Sequence, residues 1–213
     1  MIEVKICGIN EEKHLKTCFE FGADYVGFVF CKNSKRNINL NNAIYLSRKF
    51  SNRIKYVGLF VNPEDKFLEK VVENVKLDYL QLHGCETIER IEEIKTKFNF
   101  PIIKALGIST KQDLFKLKDY EFVSDILLLD YKSTNIHLPG GSGNSFDWSI
   151  LKNLKTKTPW MLAGGLNPKN VQNAIKISKA NKVDVSSGVE ENNSKSVEKI
   201  KSFLLSAKGI KNE

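Results

Sequence analysis

The sequence predicts an α/β protein of the (β/α)8 barrel class, with residues 1–213 forming one TIM-barrel domain without a linker. Three observations carry this. Short apolar runs alternate with amphipathic stretches along the whole chain, the pattern of parallel strands joined by crossover helices. Eight such units can be counted at roughly 27 residues each, the repeat of a barrel. The first strand ends in Cys7-Gly8-Ile9-Asn10, whereas a doubly wound sheet of five or six strands is expected to place a phosphate loop there.

The elements follow in order. In Glu3-Val4-Lys5-Ile6-Cys7 the apolar Val4 and Ile6 share one face and Glu3, Lys5 and Cys7 the other. That suits a strand packed outward on helices and facing a polar barrel mouth inward. Asn10 is the expected cap of a helix that carries Leu15, Cys18 and Phe19 on one face and stops at Gly22. The run 23–30 is apolar on both faces, as a buried parallel strand is. A polar loop, 31–37, leads to a helix over 40–49, a strand over 55–61, and Asn62-Pro63 before a helix over 64–74. Strands are predicted over 77–83, 101–106, 126–130, 158–163 and 182–186. Helices are predicted over 86–98, 111–118, after Asp147, 169–178 and from Ser194 to Ser206.

Composition narrows the class. With 41% hydrophobic and 27% charged residues the chain reads as an ordinary soluble globular protein. No run reaches membrane-span length and no basic-then-apolar leader is visible, so a cytoplasmic protein with no membrane partner is expected. The net charge of +8 comes from lysines spread along the chain, without an aromatic-interleaved basic stripe, and no nucleic-acid partner is expected. Cys7, Cys18, Cys31 and Cys85 show no C-x-x-C pair and no metal-like spacing with His14, His83 and His137, so reduced thiols and no metal are expected. The oligomeric state, monomer or homodimer, stays open.

In a barrel the chemistry lies at the C-terminal strand ends. There the sequence places Cys7, Arg36 just beyond strand two, Gln81 and His83 on strand four, Asp130, Gly164-Gly165, and Asp184 with Ser186-Ser187-Gly188. The small residues after strands seven and eight suit a phosphate held by backbone N–H groups, or are simply tight turns. Arg36, one of four arginines in a lysine-rich chain, is a candidate fork for a carboxylate or a solvated surface residue. Cys7 and Asp130 are a candidate base and acid. The alternatives are a small buried residue and a loop cap. His83 is a rival acid or base. Lys5 and Lys104 could form Schiff bases, but pairing with Glu3 or Asp184 inside the mouth is the favoured reading. The long loop from Tyr131 to Phe146, with Gly141 and Gly143, follows Asp130 directly and is read as a lid.

Several motifs, in order along the chain, resemble those of the phosphoribosylanthranilate isomerase family. They are Lys5-Ile6-Cys7-Gly8, Gly22-Ala23-Asp24-Tyr25-Val26-Gly27-Phe28 with Ser34-Lys35-Arg36, Gln81-Leu82-His83-Gly84 and Leu128-Leu129-Asp130. Phe146-Asp147-Trp148, Ala163-Gly164-Gly165-Leu166-Asn167-Pro168 and Asp184-Val185-Ser186-Ser187-Gly188-Val189-Glu190 complete the set. The resemblance implies an Amadori rearrangement of N-(5-phosphoribosyl)anthranilate in tryptophan biosynthesis, with a phosphosugar substrate and no cofactor. It makes Asp130 the general acid, Cys7 the general base, Arg36 the holder of the anthranilate carboxylate and the two glycine-rich turns the phosphate site. Two departures stand out. Residues 31–35 lack the proline often found before the arginine, which bears on loop rigidity. Residues 191–194 lack the Gly-x-Lys-Asp of many members, which is expected to touch the start of the last helix more than the chemistry. A different phosphosugar barrel, such as indole glycerol phosphate synthase or a lysine-dependent aldolase, and a non-catalytic ligand-binding barrel are the competing readings.

Overall fold

The computed structural model describes residues 1–50, 53–132 and 145–210. Eight parallel strands close into a barrel in sequence order: β1 (Glu3–Cys7), β2 (Tyr25–Val29), β3 (Lys55–Phe60), β4 (Tyr79–Leu82), β5 (Ile102–Ile108), β6 (Ile126–Tyr131), β7 (Trp160–Leu162) and β8 (Lys182–Val185). Closure comes from β1 against β8, with Lys5 opposite Asp184. On the other side Cys7 pairs with Gly27 of β2.

Helices α1 (Glu12–Glu20), α2 (Leu40–Ser47), α3 (Asp65–Val72) and α4 (Ile88–Phe98) lie in the first four crossovers. The fifth begins with a 3-10 turn, Lys111–Lys116, and finishes with one α turn, α5 (Leu117–Tyr120), where a helix over 111–118 was expected. In the sixth, the predicted short helix after Asp147 is the 3-10 turn Trp148–Leu151 capped by Asp147 itself. Then come α6 (Val171–Ser178) and α7 (Val197–Lys208). Asn10 does not cap α1: the cap position is Glu11, and the Asn10 carbonyl instead accepts from the Asn42 side chain at 2.6 Å. Pro63 likewise precedes the cap of α3, Glu64, and is not in its first turn.

The alternation read in β1 holds. Val4 and Ile6 belong to the larger apolar layer between strands and helices, with Leu15, Leu46, Leu68, Ile94 and Phe203. The barrel interior has its own apolar floor of Tyr25, Val57, Ile103, Ile126, Leu128 and Met161. Above it the interior turns polar with Lys5, Gln81 and Asp184, and Cys7 packs near the top with Val29 and Leu59; Lys104, between the inward-facing Ile103 and Ala105, points out to the helix side of β5.

A repeated device finishes the opposite end. Asp24, Asp78 and Asp125 each stand immediately before an even-numbered strand, and each Oδ2 accepts an N–H from the first or second residue of the strand beside it: Val4 at 2.8 Å, Tyr56 at 2.7 Å and Ile102 at 2.8 Å. Strand N–H groups at a barrel rim would otherwise lack acceptors.

The largest departure from expectation is at the last helix. Residues from Ser194 do not begin it. Instead β9 (Glu190–Glu191) and β10 (Ser194–Lys195) form a two-stranded hairpin, with Asn192 and Asn193 in the left-handed region at φ 48° and 64°. Asn tolerates that region better than most side chains. Helix α7 starts only afterwards, with Ser196 accepting from the Lys199 N–H.

Candidate active site

The site grows from the top of β1. Lys5 is fully buried and its Nζ lies 2.9 Å from Asp184 Oδ1 across the β1–β8 seam. Burial pushes the ammonium down, but the Asp184 carboxylate and, after it, the Cys7 sulfur more than restore it, so Lys5 is held charged. A charged lysine is not the free amine that a Schiff base needs. The other candidate, Lys104, is buried on Glu86 at 2.7 Å and on the Gly84 carbonyl at 2.8 Å. Both lysines are therefore paired, Lys5 as expected with Asp184 and Lys104 with Glu86. Glu3 takes Lys182 and the Tyr25 hydroxyl instead.

Cys7 sits two residues above Lys5. A β-carbon on Gly27 would lie 3.0 Å from the Cys7 Sγ and 3.3 Å from the Lys5 Nζ, so the glycine leaves room for both groups on one side of the mouth. Burial pushes the thiol above its ordinary value; Lys5 pulls it down, Asp184 opposes that, and Lys195 and Arg36 pull it down further without cancelling the burial. The Ser186 hydroxyl donates to the Cys7 carbonyl at 3.2 Å, joining β1 to the turn after β8.

Arg36 lies across the same turn. Gly8 has φ +83°, and a β-carbon there would come within 2.9 Å of the Arg36 Cδ, so glycine is required on both counts. The loop that lacks proline is braced by Ser34, whose hydroxyl accepts from the Arg36 N–H at 3.1 Å and whose carbonyl accepts from Asn37 at 2.9 Å. The guanidinium is gripped by Glu190, Nε to Oε1 at 2.5 Å and a terminal nitrogen to Oε2 at 2.9 Å. On the same carboxylate sits Lys195, at 2.7 Å, which also donates to the Ser186 carbonyl at 2.8 Å and approaches its hydroxyl at 3.3 Å. Burial alone would raise the Glu190 carboxyl, but Arg36 and Lys195 bring it down to about 2. Burial depresses the Lys195 ammonium, and Glu190 only partly offsets it.

Across the mouth, Asp130 is the penultimate residue of β6. Its Oδ1 accepts from the Tyr131 N–H at 2.8 Å and its Oδ2 faces His83 Nε2 at 3.4 Å. His83 Nδ1 is 2.9 Å from the buried Gln81 amide nitrogen. With Gln81 as donor, the imidazole proton is on Nε2, directed at Asp130. Gln81 thus meets His83 through its amide nitrogen, and Asp184 meets Lys5 through Oδ1.

The two small-residue turns meet. A β-carbon on Gly188 would lie 1.8 Å from the Leu166 carbonyl oxygen, so the turn after β8 is pressed against the turn after β7. Gly164 and Gly165 adopt φ 84° and 65°. Their N–H groups donate to no acceptor among the described residues, while the Gly165 carbonyl accepts from the Asn170 amide at 2.9 Å. Free N–H groups beside Ser186 and Ser187 make a surface suited to an anion.

The sequence-predicted residues Cys7, Arg36, His83, Asp130, Gly164, Gly165, Ser186, Ser187 and Gly188 therefore fall at one mouth. The lid glycines Gly141 and Gly143 lie outside the described residues. Two members were not singled out from the sequence: Glu190 and Lys195. The segment 191–194 turns the hairpin that sets Lys195 against Glu190 and Ser186 before α7 begins. Asn192-Asn193 between polar flanks was the available signal, since two residues with positive φ make a tight hairpin turn. Among the described residues no group of three or more His, Cys, Asp or Glu side chains could hold a metal ion. No helix there is long and apolar enough to cross a membrane.

The family model for N-(5'-phosphoribosyl)anthranilate isomerase matches residues 4–206. The chain belongs to this family. It is an isomerase, and it is 47% identical over 210 residues to the N-(5'-phosphoribosyl)anthranilate isomerase of Paramagnetospirillum magneticum, covering 98% of each protein. Among solved structures it resembles the phosphoribosylanthranilate isomerase of Thermotoga maritima, with a TM-score of 0.89, 39% identity and coverage of 99% of this chain and 100% of that one. A further phosphoribosylanthranilate isomerase, solved in complex with reduced 1-(o-carboxyphenylamino)-1-deoxyribulose 5-phosphate, gives a TM-score of 0.84 at 36% identity over 99% and 100% of the two chains.

Proposed function

We propose that this chain converts N-(5-phosphoribosyl)anthranilate to 1-(2-carboxyphenylamino)-1-deoxyribulose 5-phosphate, with Asp130 as general acid and Cys7 as general base. Asp130 gives its proton to the furanose ring oxygen as the C1–O bond breaks, and the substrate's own nitrogen supplies the electrons of the resulting iminium. Cys7 then removes the proton from C2, leaving an enolamine that tautomerises to the ketone. Protons are redistributed and no external oxidant or reductant enters. Arg36 holds the anthranilate carboxylate and the turns at Gly164-Gly165 and Ser186-Ser187-Gly188 hold the phosphate. The substrate is a small phosphosugar met in the cytoplasm, without nucleic acid, membrane or cofactor.

One observation carries the reading: Cys7 and Asp130 stand at the C-terminal ends of β1 and β6 at the same mouth, flanked by an arginine fork and by turn N–H groups that find no acceptor among the described residues. The relative bound to a reduced product analogue, with both a carboxylate and a phosphate, supports it. A coupled assay on freshly generated substrate tests it. Cys7→Ala and Asp130→Asn should each lower turnover by about 10²–10⁴-fold, the usual loss when one proton-transfer group is removed. Near-normal turnover in either variant would remove that residue from the mechanism.

A further inference from the structure

The hairpin β9–β10 places opposite charges directly across its two strands, Glu190 against Lys195. Both side chains are buried: Glu190 retains 9% exposure and Lys195 2%, with Arg36 at 14% above them. The hairpin is tied to the β2 loop twice, by Arg36 on Glu190 and by Lys35 on the Asn193 side chain at 2.7 Å. It is tied to the turn after β8 by Lys195 on the Ser186 carbonyl. A buried carboxylate facing a substrate-binding arginine would be counterproductive if it merely cancelled the positive charge. Here it does not, because Arg36, Glu190 and Lys195 together retain one net positive charge.

We propose that Glu190, with Lys195 behind it, is a positioning residue that presents one edge of the Arg36 guanidinium to the substrate and thereby sets the preference for a substrate bearing a carboxylate. This rests on the reading of Arg36 given above. A guanidinium carries five N–H groups in a planar fork. Glu190 engages Nε and one terminal nitrogen, and the outer terminal edge keeps a parallel pair of N–H groups. That edge is the geometry a second carboxylate needs for a bidentate grip. Without Glu190 the long side chain would be free to rotate, and the ordering lost would have to be supplied on binding. Without Lys195 the Arg36–Glu190 pair would be neutral and would offer an anion little attraction.

The test compares two substrates: N-(5-phosphoribosyl)anthranilate and the corresponding N-phosphoribosyl aniline, which differs only by lacking the carboxylate. The quantity read is the ratio of their kcat/KM values in the full-length protein. Arg36→Met should collapse the ratio. Glu190→Gln should lower it by about tenfold, the scale of one hydrogen bond to a charged group, mainly through the KM of the carboxylated compound. The double variant should fall no further than Arg36→Met alone. A ratio unaltered in Glu190→Gln while Arg36→Met collapses it would overturn the role of Glu190 and leave the Arg36 reading intact. A ratio unaltered in Arg36→Met would overturn that reading and this inference with it. Should Glu190→Gln fail to fold, Glu190→Asp keeps the charge and shortens the reach: a lowered ratio supports the proposal, and an unchanged one overturns it.

Discussion

A cysteine acts as a base only as its thiolate, and in Cys7 burial and three cations contend over whether that form is reached. Burial wins, so below the ordinary thiol value of 9.0 the side chain is mostly protonated. The sign of the linkage follows. A thiol whose folded value is raised holds its proton more tightly folded than unfolded, so its contribution to stability is full below the unfolded value and lost as pH rises through the folded one. The difference in ultraviolet thiolate absorbance between the protein and its Cys7→Ala variant should therefore develop with a midpoint above 9.0. A midpoint at or below 9.0 would show that Lys5, Lys195 and Arg36 outweigh burial. At this scale the sequence was informative about identity and silent about setting. Cys7 and Asp130 could be named as strand-end residues, but the partners that set the thiol's charge come from residues 5, 36, 184 and 195, which only the closed barrel brings together.

Among elements, strands were more legible than their junctions. An apolar run such as Ile126-Leu127-Leu128-Leu129 admits few alternatives, whereas helix starts depend on caps that one residue can shift, as from Asn10 to Glu11. The hairpin 190–195 is not legible in the sequence because its strands are two residues long and polar, below the length at which alternation shows. The rim aspartates are a device of the same scale. Each carboxylate takes a strand N–H that no other strand reaches, and Asp78→Ala would leave the Tyr56 N–H without its acceptor. We expect a loss of about 1–2 kcal/mol in urea denaturation with kcat retained, since this rim faces away from the chemistry. A loss of kcat at unchanged stability would show that the two rims are coupled.

For the molecule as a whole, the paired Lys104 and Glu86 matter most outside the site. Glu86 accepts from the N–H groups of Asn62 and Gly84 while meeting Lys104, so one buried carboxylate joins the tops of β3, β4 and β5. Removing one partner of a buried pair strands the other's charge. Lys104→Met should cost about 3–5 kcal/mol, read as a lower midpoint in chemical denaturation. An unchanged midpoint would mean that the two backbone N–H groups suffice for Glu86. None of this pairing is visible in composition, where 33 basic residues look like an even wash of charge. The fold class was legible because periodicity is local. The pairing was not, because it joins residues that are distant in sequence.

Closure of the barrel by β1 on β8 has a consequence in time. The residues that wall in the Cys7 thiol, Asp184, Ser186 and Lys195, are among the last to be synthesised, whereas Cys7 is among the first. At about 5–20 residues per second, the nascent chain carries Cys7 for on the order of ten seconds or more before its covering strand exists. Throughout that interval the future base is an unshielded sulfur on an incomplete sheet, open to the oxidants that attack accessible thiols. Its oxidative exposure is thus greatest before there is any enzyme to inactivate, and the last strand to arrive is also its shield.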